Sequence, residues 1–295
     1  MKSLKKYLAL FCLFFTTAIS AQTFDKFVVF GDSLSDNGNL YALVKGYQPQ
    51  APYYFGRFSN GLVWVEIMTN QMNMSPSHLE DYALGGAQTE GMKPPGLKAQ
   101  VDKYLANHTV DPNAIYIIWS GGDNYLYHPH SAIREVNEAI ADINDAIGEL
   151  AQRGATNFLV PNLPDIGATP VAKQWDQQYP KLKTSQHLTW LSQTHNSKLA
   201  TDLPQLQSSL GINIMTIDVY KMLQMIMQTP SQFGYTNVTD RCYTGAFHGG
   251  GGTECADPDE YLFWDWVHPT LKTHTLIAQA GVAVLKQQGF RFSDR

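Results

Sequence analysis

Ser33 stands in the run Gly31-Asp32-Ser33-Leu34-Ser35-Asp36-Asn37-Gly38-Asn39, and Asp265 precedes His268 by three residues in Asp265-Trp266-Val267-His268-Pro269. A serine in a turn of Gly, Asp and Asn is presented at an exposed corner, where its hydroxyl can meet a substrate. A carboxylate three residues before an imidazole reaches the ring within one turn and can orient it. Together these types support nucleophilic acyl transfer: the histidine takes the serine proton and the carboxylate holds the histidine. Each fragment also has a plainer reading. Gly-Asp-Ser is a common turn, and Asp265 with His268 could be a surface ion pair ahead of a helix bounded by Pro269.

The elements that must position these residues alternate along the chain. Lys26-Phe27-Val28-Val29-Phe30 reads as a buried strand directly before Ser33. Further apolar runs follow at Tyr82–Leu84, Ala114–Trp119, Asn157–Val160 and Ile212–Ile217. Helical patterns occupy Ala132–Gln152 and Thr184–Leu210, the latter with an expected break near Pro204. Continuous apolar strands alternating with helices predict a parallel sheet covered on both faces, a three-layer α/β/α sandwich. In such a sheet ligands bind beyond the carboxyl ends of the strands. Ser33, Gly85-Gly86, Gly121-Gly122-Asp123-Asn124 and Asp165 each follow a predicted strand, so they should gather on one edge.

The first residues carry lysines, Tyr7–Phe15 is apolar, and Thr16–Ala21 is mostly small. Residues 1–21 therefore read as a signal peptide, too short in its apolar part to span a bilayer, and 22–295 as a single exported domain. The net charge of −5 leaves no basic footprint for nucleic acid. Of the three cysteines, Cys12 would leave with the leader. Cys242 and Cys255 remain as a pair expected to form a disulfide in an exported protein, with a stabilisation of roughly 3 kcal/mol in the chain-entropy model. The enclosed loop, with four consecutive glycines at Gly249–Gly252, reads as too flexible for a regular element. A metal site on these thiols and His248 is the competing reading, and His128-Pro129-His130 lacks a third ligand at a sensible spacing.

Gly31-Asp32-Ser33-Leu34, Tyr82-Ala83-Leu84-Gly85-Gly86-Ala87, Gly121-Gly122-Asp123-Asn124 and Asp265-Trp266-Val267-His268 resemble the four ordered blocks of the GDSL lipases and esterases, or SGNH hydrolases. With Gly56-Arg57-Phe58-Ser59-Asn60-Gly61 and Trp64-Val65-Glu66, the chain looks most like the secreted bacterial branch of phospholipases A, lysophospholipases A and glycerophospholipid:cholesterol acyltransferases. The resemblance implies a flavodoxin-like five-stranded sheet and acyl-ester hydrolysis through an acyl-enzyme, without metal or cofactor. It assigns Ser33 as nucleophile, His268 as general base and Asp265 as the residue orienting the ring. The oxyanion would be held by the backbone N–H groups of Ser33 and Gly86 and by a side-chain amide from the third block.

That third block departs from the family pattern Gly-x-Asn-Asp, because the aligned position holds Asp123. An ionised carboxylate only accepts hydrogen bonds and repels an oxyanion. Asn124, brought inward by a one-residue shift, is the expected donor; the alternative is an Asp123 that is protonated or turned away.

Lysophospholipid is the expected substrate, with phospholipid hydrolysis and acyl transfer as extensions and transient contact with a membrane or micelle surface. The aromatics Tyr53, Tyr54, Phe55, Trp119, Tyr125 and Tyr127 are expected near the rim, and the methionine-rich row from Tyr220 to Met227 chiefly in the core. In similar secreted enzymes such a loop covers the site, so the loop 242–255 is expected either as a cover that an activating extracellular protease trims or as a simple stabilising loop. An esterase for short-chain or carbohydrate esters and a non-enzymatic binding protein are the alternative classes.

Overall fold

The computed structural model describes residues 22–294, so the leader expected at 1–21, with Cys12, lies outside the described residues. The strands are β1 (Gln22–Phe24), β2 (Phe27–Gly31), β3 (Leu79–Asp81), β4 (Ile115–Trp119), β5 (Asn157–Pro161), β6 (Asn213–Ile217), β7 (Asn237–Arg241), β8 (Tyr261–Phe263) and β9 (Phe290–Phe292). The helices are α1 (Asn39–Leu43), α2 (Trp64–Gln71), α3 (Leu97–Asn107), α4 (Gly122–Tyr127), α5 (Ile133–Gln152), α6 (Pro170–Gln178), α7 (Thr184–Leu210), α8 (Val219–Gln228) and α9 (Leu271–Gln287).

Strands β2, β4 and β5 are buried along their whole length, as a strand covered on both faces must be, and they form the middle of a parallel five-stranded sheet ordered β3-β2-β4-β5-β6. Helices α2 and α9 pack together as one covering layer, while α3, α5 and α7 form the other. The fold is thus the three-layer α/β/α sandwich with flavodoxin-like strand order. The chain leaves β2 for β3 on one side and returns to β4 on the other, so the loops after β2 and β4 diverge and open a crevice between them. Ser33 lies after the first of these strands and Asp123 after the second.

Three details differ from the expectations. The second strand comes slightly earlier, at Leu79–Asp81, with Tyr82 and Leu84 continuing to bond through their N–H groups to Val29 and Gly31 carbonyls at 2.8 and 3.2 Å. It is a short edge strand whose Glu80 pairs with Lys26 at 2.9 Å, and such charge hides it from an apolar search. Helix α7 runs unbroken through Pro204. The local cost of an interior proline, about 3 kcal/mol, is offset by the burial of Leu188, Leu191, Leu199 and Leu203 along the same helix. Cys242 and Cys255 are bonded, but the loop between them has a regular stem: Tyr243 and Glu254 pair antiparallel, and the Thr244 N–H donates to the Thr253 carbonyl at 3.0 Å. Positive φ is confined to its tip, at Gly249, Gly250 and Gly251.

Two histidines sit wholly inside the fold. His195 meets Tyr125 Oη at 2.9 Å, and His274 Nδ1 accepts the Trp64 N–H at 3.3 Å. Burial pushes both down to about 3, with the charge of His268 adding to the effect at His274. The unfolded chain, with histidines near pH 6.5, binds more protons than the fold between these values. Stability is therefore expected to fall as pH drops from about 6.5 towards 3, by up to ~1.4 kcal/mol per pH unit for each histidine. Urea midpoints measured across this range check it, and His195→Gln should flatten the dependence.

Candidate active site

The turn after β2 is shaped by its own aspartate. Asp32 Oδ1 accepts the Leu34 N–H at 3.0 Å, while the Asp32 carbonyl accepts from the N–H groups of Ser35 and Asp36, both at 3.1 Å. This lifts Ser33 off the strand end. At the other end of the chain, Asp265 Oδ1 accepts the N–H groups of Val267 and His268 at 2.9 and 2.8 Å, folding the segment so that the ring returns to its own carboxylate. His268 Nδ1 lies 2.7 Å from Asp265 Oδ2, and Nε2 lies 2.8 Å from Ser33 Oγ. A carboxylate only accepts, so Nδ1 carries the proton and Nε2 is free to accept from the serine.

The carboxylate is fully buried. Burial alone would raise its pKa, but electrostatic attraction to His268 and the hydrogen bonds from His268 and Val267 hold Asp265 below the usual carboxylate range. Tyr53 Oη adds a further donor at 2.7 Å from Asp265 Oδ2. Tyr53 is therefore not a rim residue as expected. It is buried in a small cluster with Cys242, Tyr243 and Trp264, which ties the disulfide to the hydroxyl–imidazole–carboxylate chain. Trp119 and Tyr125 are also buried, whereas Tyr54, Phe55 and Tyr127 are exposed.

The Arg57–Gly61 segment braces the histidine. Ser59 Oγ donates to the Pro269 carbonyl at 2.9 Å and Asn60 Oδ1 accepts the Leu271 N–H at 2.7 Å. Phe58 lies against the imidazole with centroids 5.0 Å apart, and Phe247 from the disulfide loop approaches it at 5.8 Å. Arg57 secures the segment through a two-point contact with Glu66, at 2.6 and 3.2 Å.

Gly85 and Gly86 face Ser33 across the crevice. Asp36, with no exposed surface, accepts the Gly85 N–H at 2.8 Å and also those of Gly38 and Leu40, joining the first block to the second. A Cβ on Gly85 would come within 2.1 Å of the Phe58 ring that packs on His268. Gly86 has φ +78 and lines the cleft; its N–H and that of Ser33 make no hydrogen bond among the described residues. Two unengaged donors beside a serine hydroxyl suit a developing anion.

The third block opens on Gly121, whose φ of +111 and whose close approach to His195 exclude a side chain. The expectation for Asn124 does not match the structure. Its Oδ1 accepts the Thr89 N–H at 3.0 Å and its Nδ2 donates to Thr89 Oγ1 at 3.0 Å, while Thr89 Oγ1 donates to Asp142 at 2.6 Å. The amide is thus engaged away from the crevice, and Asp123 is the side chain that lines it. On a helical turn only one of two consecutive residues can face the serine.

Two chambers meet at Ser33, Asp123 and His268. One is a narrow slot of about 60 Å³ walled largely by apolar side chains, including Trp119, Leu163, Leu223, Met227, Phe263 and Ile277. The other is an open cleft of about 490 Å³ bounded by Gln48, Phe58, Gly86, Tyr127, Trp175 and Phe247, among others. From the methionine-rich helix α8, Leu223 and Met227 thus face the slot while Met225 is exposed. Asp165 reaches the slot and accepts the Thr189 hydroxyl at 2.7 Å. Among the described residues no three His, Cys, Asp or Glu side chains converge as a metal ion would need.

The chain is similar to several known proteins. The phosphatidylcholine-sterol acyltransferase of Aeromonas hydrophila is 26% identical over 95% of this chain and 96% of its own length. The secreted effector protein SseJ of Salmonella typhimurium is 29% identical over 88% of this chain, which spans 63% of that relative. A solved member of the lipolytic G-D-S-L family from Veillonella parvula is 15% identical, covering 89% of this chain and 98% of its own at a TM-score of 0.48. The model of the GDSL-like lipase/acylhydrolase family matches residues 27–280, and the chain belongs to that family.

Proposed function

We propose that this chain is an exported serine hydrolase that releases fatty acid from lysophospholipids, with Ser33, His268 and Asp265 as its catalytic triad. The observation that carries the reading is the unbroken Ser33–His268–Asp265 hydrogen-bond chain at the mouth of one narrow apolar slot. Ser33 Oγ attacks the ester carbonyl as His268 Nε2 takes its proton. The imidazolium then protonates the leaving alcohol, and water resolves the acyl-enzyme by the same route. Another alcohol in place of water would give acyl transfer. The narrow apolar slot suits the first carbons of an acyl chain next to the ester, while the wider cleft suits a glycerol and headgroup. The phosphatidylcholine-sterol acyltransferase relative supports a glycerophospholipid acyl donor, and the disulfide and the secreted effector relative support export. Exposed Tyr47, Phe55 and Tyr127, at 61%, 75% and 57%, support brief contact with a micelle or membrane surface.

The test is fatty-acid release from lysophosphatidylcholine, diacylphosphatidylcholine and a short-chain ester by wild type and Ser33→Ala. Release chiefly from the lysolipid, absent in the variant, is the expected result. Turnover of the short ester alone would move the protein to the short-chain esterases.

The 242–255 loop is proposed as a removable cover. Phe247 meets the His268 ring edge-on and forms part of the cleft wall, and the disulfide would keep both ends in place after a cut at the glycine tip. Nicking by an extracellular protease is expected to raise kcat/KM on lysolipid, and equal turnover of intact and nicked protein would remove the idea.

A further inference from the structure

We propose that Asp123, as a neutral carboxylic acid, donates the third hydrogen bond to the oxyanion formed at Ser33. The proposal rests on the acyl-ester reading above and deepens it by naming a catalytic residue. Asp123 lines both chambers with Ser33 and His268. Its carboxyl makes no hydrogen bond among the described residues, whereas both polar atoms of Asn124 are committed to Thr89. No lysine or arginine lines either chamber, so no permanently charged cation there compensates a carboxylate. Beside a developing oxyanion a carboxylate is repulsive, while a carboxylic acid donates with much the same reach as an amide.

The charges around the group point the same way. Asp32 faces it from the turn after β2, Asp165 from the loop after β5, Tyr127 from its own helix, and His268 from the turn after β8. Burial and then the neighbouring Asp32 raise the Asp123 carboxyl well above the ordinary range, and burial pushes Asp32 itself up to about 6. His268 is the only one of these neighbours that can bear a positive charge.

In the step itself, Ser33 Oγ bonds to the ester carbon and its proton passes to His268 Nε2. The carbonyl π pair moves onto oxygen, which accepts from the N–H groups of Ser33 and Gly86 and the O–H of Asp123. Collapse expels the alkoxide, which takes the proton from His268. Asp123 keeps its own proton throughout. The donating form exists below the pKa of Asp123 and is lost above it, so turnover must fall on the alkaline side as that carboxyl ionises.

The experiment measures kcat/KM from acid to alkaline pH on a soluble short-chain nitrophenyl ester, for wild type, Asp123→Asn and Asp123→Ala. Ser33→Ala serves as background and a fluorophosphonate counts active sites. Asp123→Asn, which donates at every pH, is expected to lose the alkaline fall and to exceed wild type there by roughly tenfold. Asp123→Ala is expected to lose about 100- to 1000-fold at neutral pH, as when an oxyanion donor is removed. Asp123→Ala within about threefold of wild type, an Asp123→Asn that keeps the alkaline fall, or one as slow as Asp123→Ala would overturn the proposal. The near-isosteric Asn variant keeps the test decisive if the Ala variant misfolds. Turnover and labelling unchanged in Ser33→Ala would instead overturn the serine-hydrolase reading, and this proposal with it.

Discussion

Replacing His268 by alanine is expected to lower kcat on lysolipid by about six orders of magnitude, and Ser33→Ala by about as much, with the double variant no worse than either. In the proposed mechanism the two side chains act as one device. Ser33 Oγ is a weak nucleophile unless its proton has a destination, and among the described residues the acceptor within hydrogen-bonding distance of it is His268 Nε2, at 2.8 Å. The imidazole, in turn, has no nucleophile to serve once the hydroxyl is gone. What remains in each variant is substrate binding and the oxyanion donors, which sustain a small residual rate. Single-turnover measurements on the three variants check this. Additive losses in the double variant would mean that the two groups act in separate steps, and the triad assignment would fail.

Asp265→Asn is expected to lower kcat by roughly four orders of magnitude with the fold intact, as when the corresponding carboxylate of a triad becomes an amide. The hydrogen bonds dictate the direction. Oδ1 accepts two backbone N–H groups, from Val267 and His268, so the amide oxygen must take that place. The amide nitrogen is then left facing His268 Nδ1 and Tyr53 Oη, where Oδ2 now sits 2.7 Å from each. An NH₂ group donates, so it would force the imidazole proton from Nδ1 to Nε2. A protonated Nε2 points a donor at Ser33 Oγ and cannot take its proton. Proton and nitrogen NMR of the imidazole would show the tautomer change, and kcat the loss. A wild-type tautomer with a slow enzyme would place the defect elsewhere. Tyr53→Phe removes one donor without reversing any, so its effect should be far smaller.

The sheet was legible where strands are buried on both faces, because an uninterrupted apolar run of strand length has no polar face to turn towards water. It was misplaced at β3, where the edge sequence Leu-Glu-Asp carries charge, and α7 was wrongly expected to break at Pro204 because local propensity was weighed without tertiary packing. Asp36, Ser59, Asn60 and Tyr53 drew no catalytic role from the sequence. Each acts through hydrogen bonds to a segment distant in the chain, and such bonds leave no periodic trace. A signal for Tyr53 did exist in the crowding of aromatics around Pro52, but it suggested a lipid-facing rim and not a buried donor.

The chemical types and their order were readable from the chain: a hydroxyl after the first buried strand, glycines after the second, a polar pair after the third, and a carboxylate–imidazole pair near the end. These follow from local rules, since turn propensity and strand burial depend on near neighbours. Tertiary structure alone decided that Asp123 and not Asn124 enters the crevice, and that Tyr53 holds Asp265 across 212 residues. Both depend on which partner a side chain meets when the sheet has closed. Thr89, brought beside α4 by folding, engages the amide and leaves the acid facing Ser33.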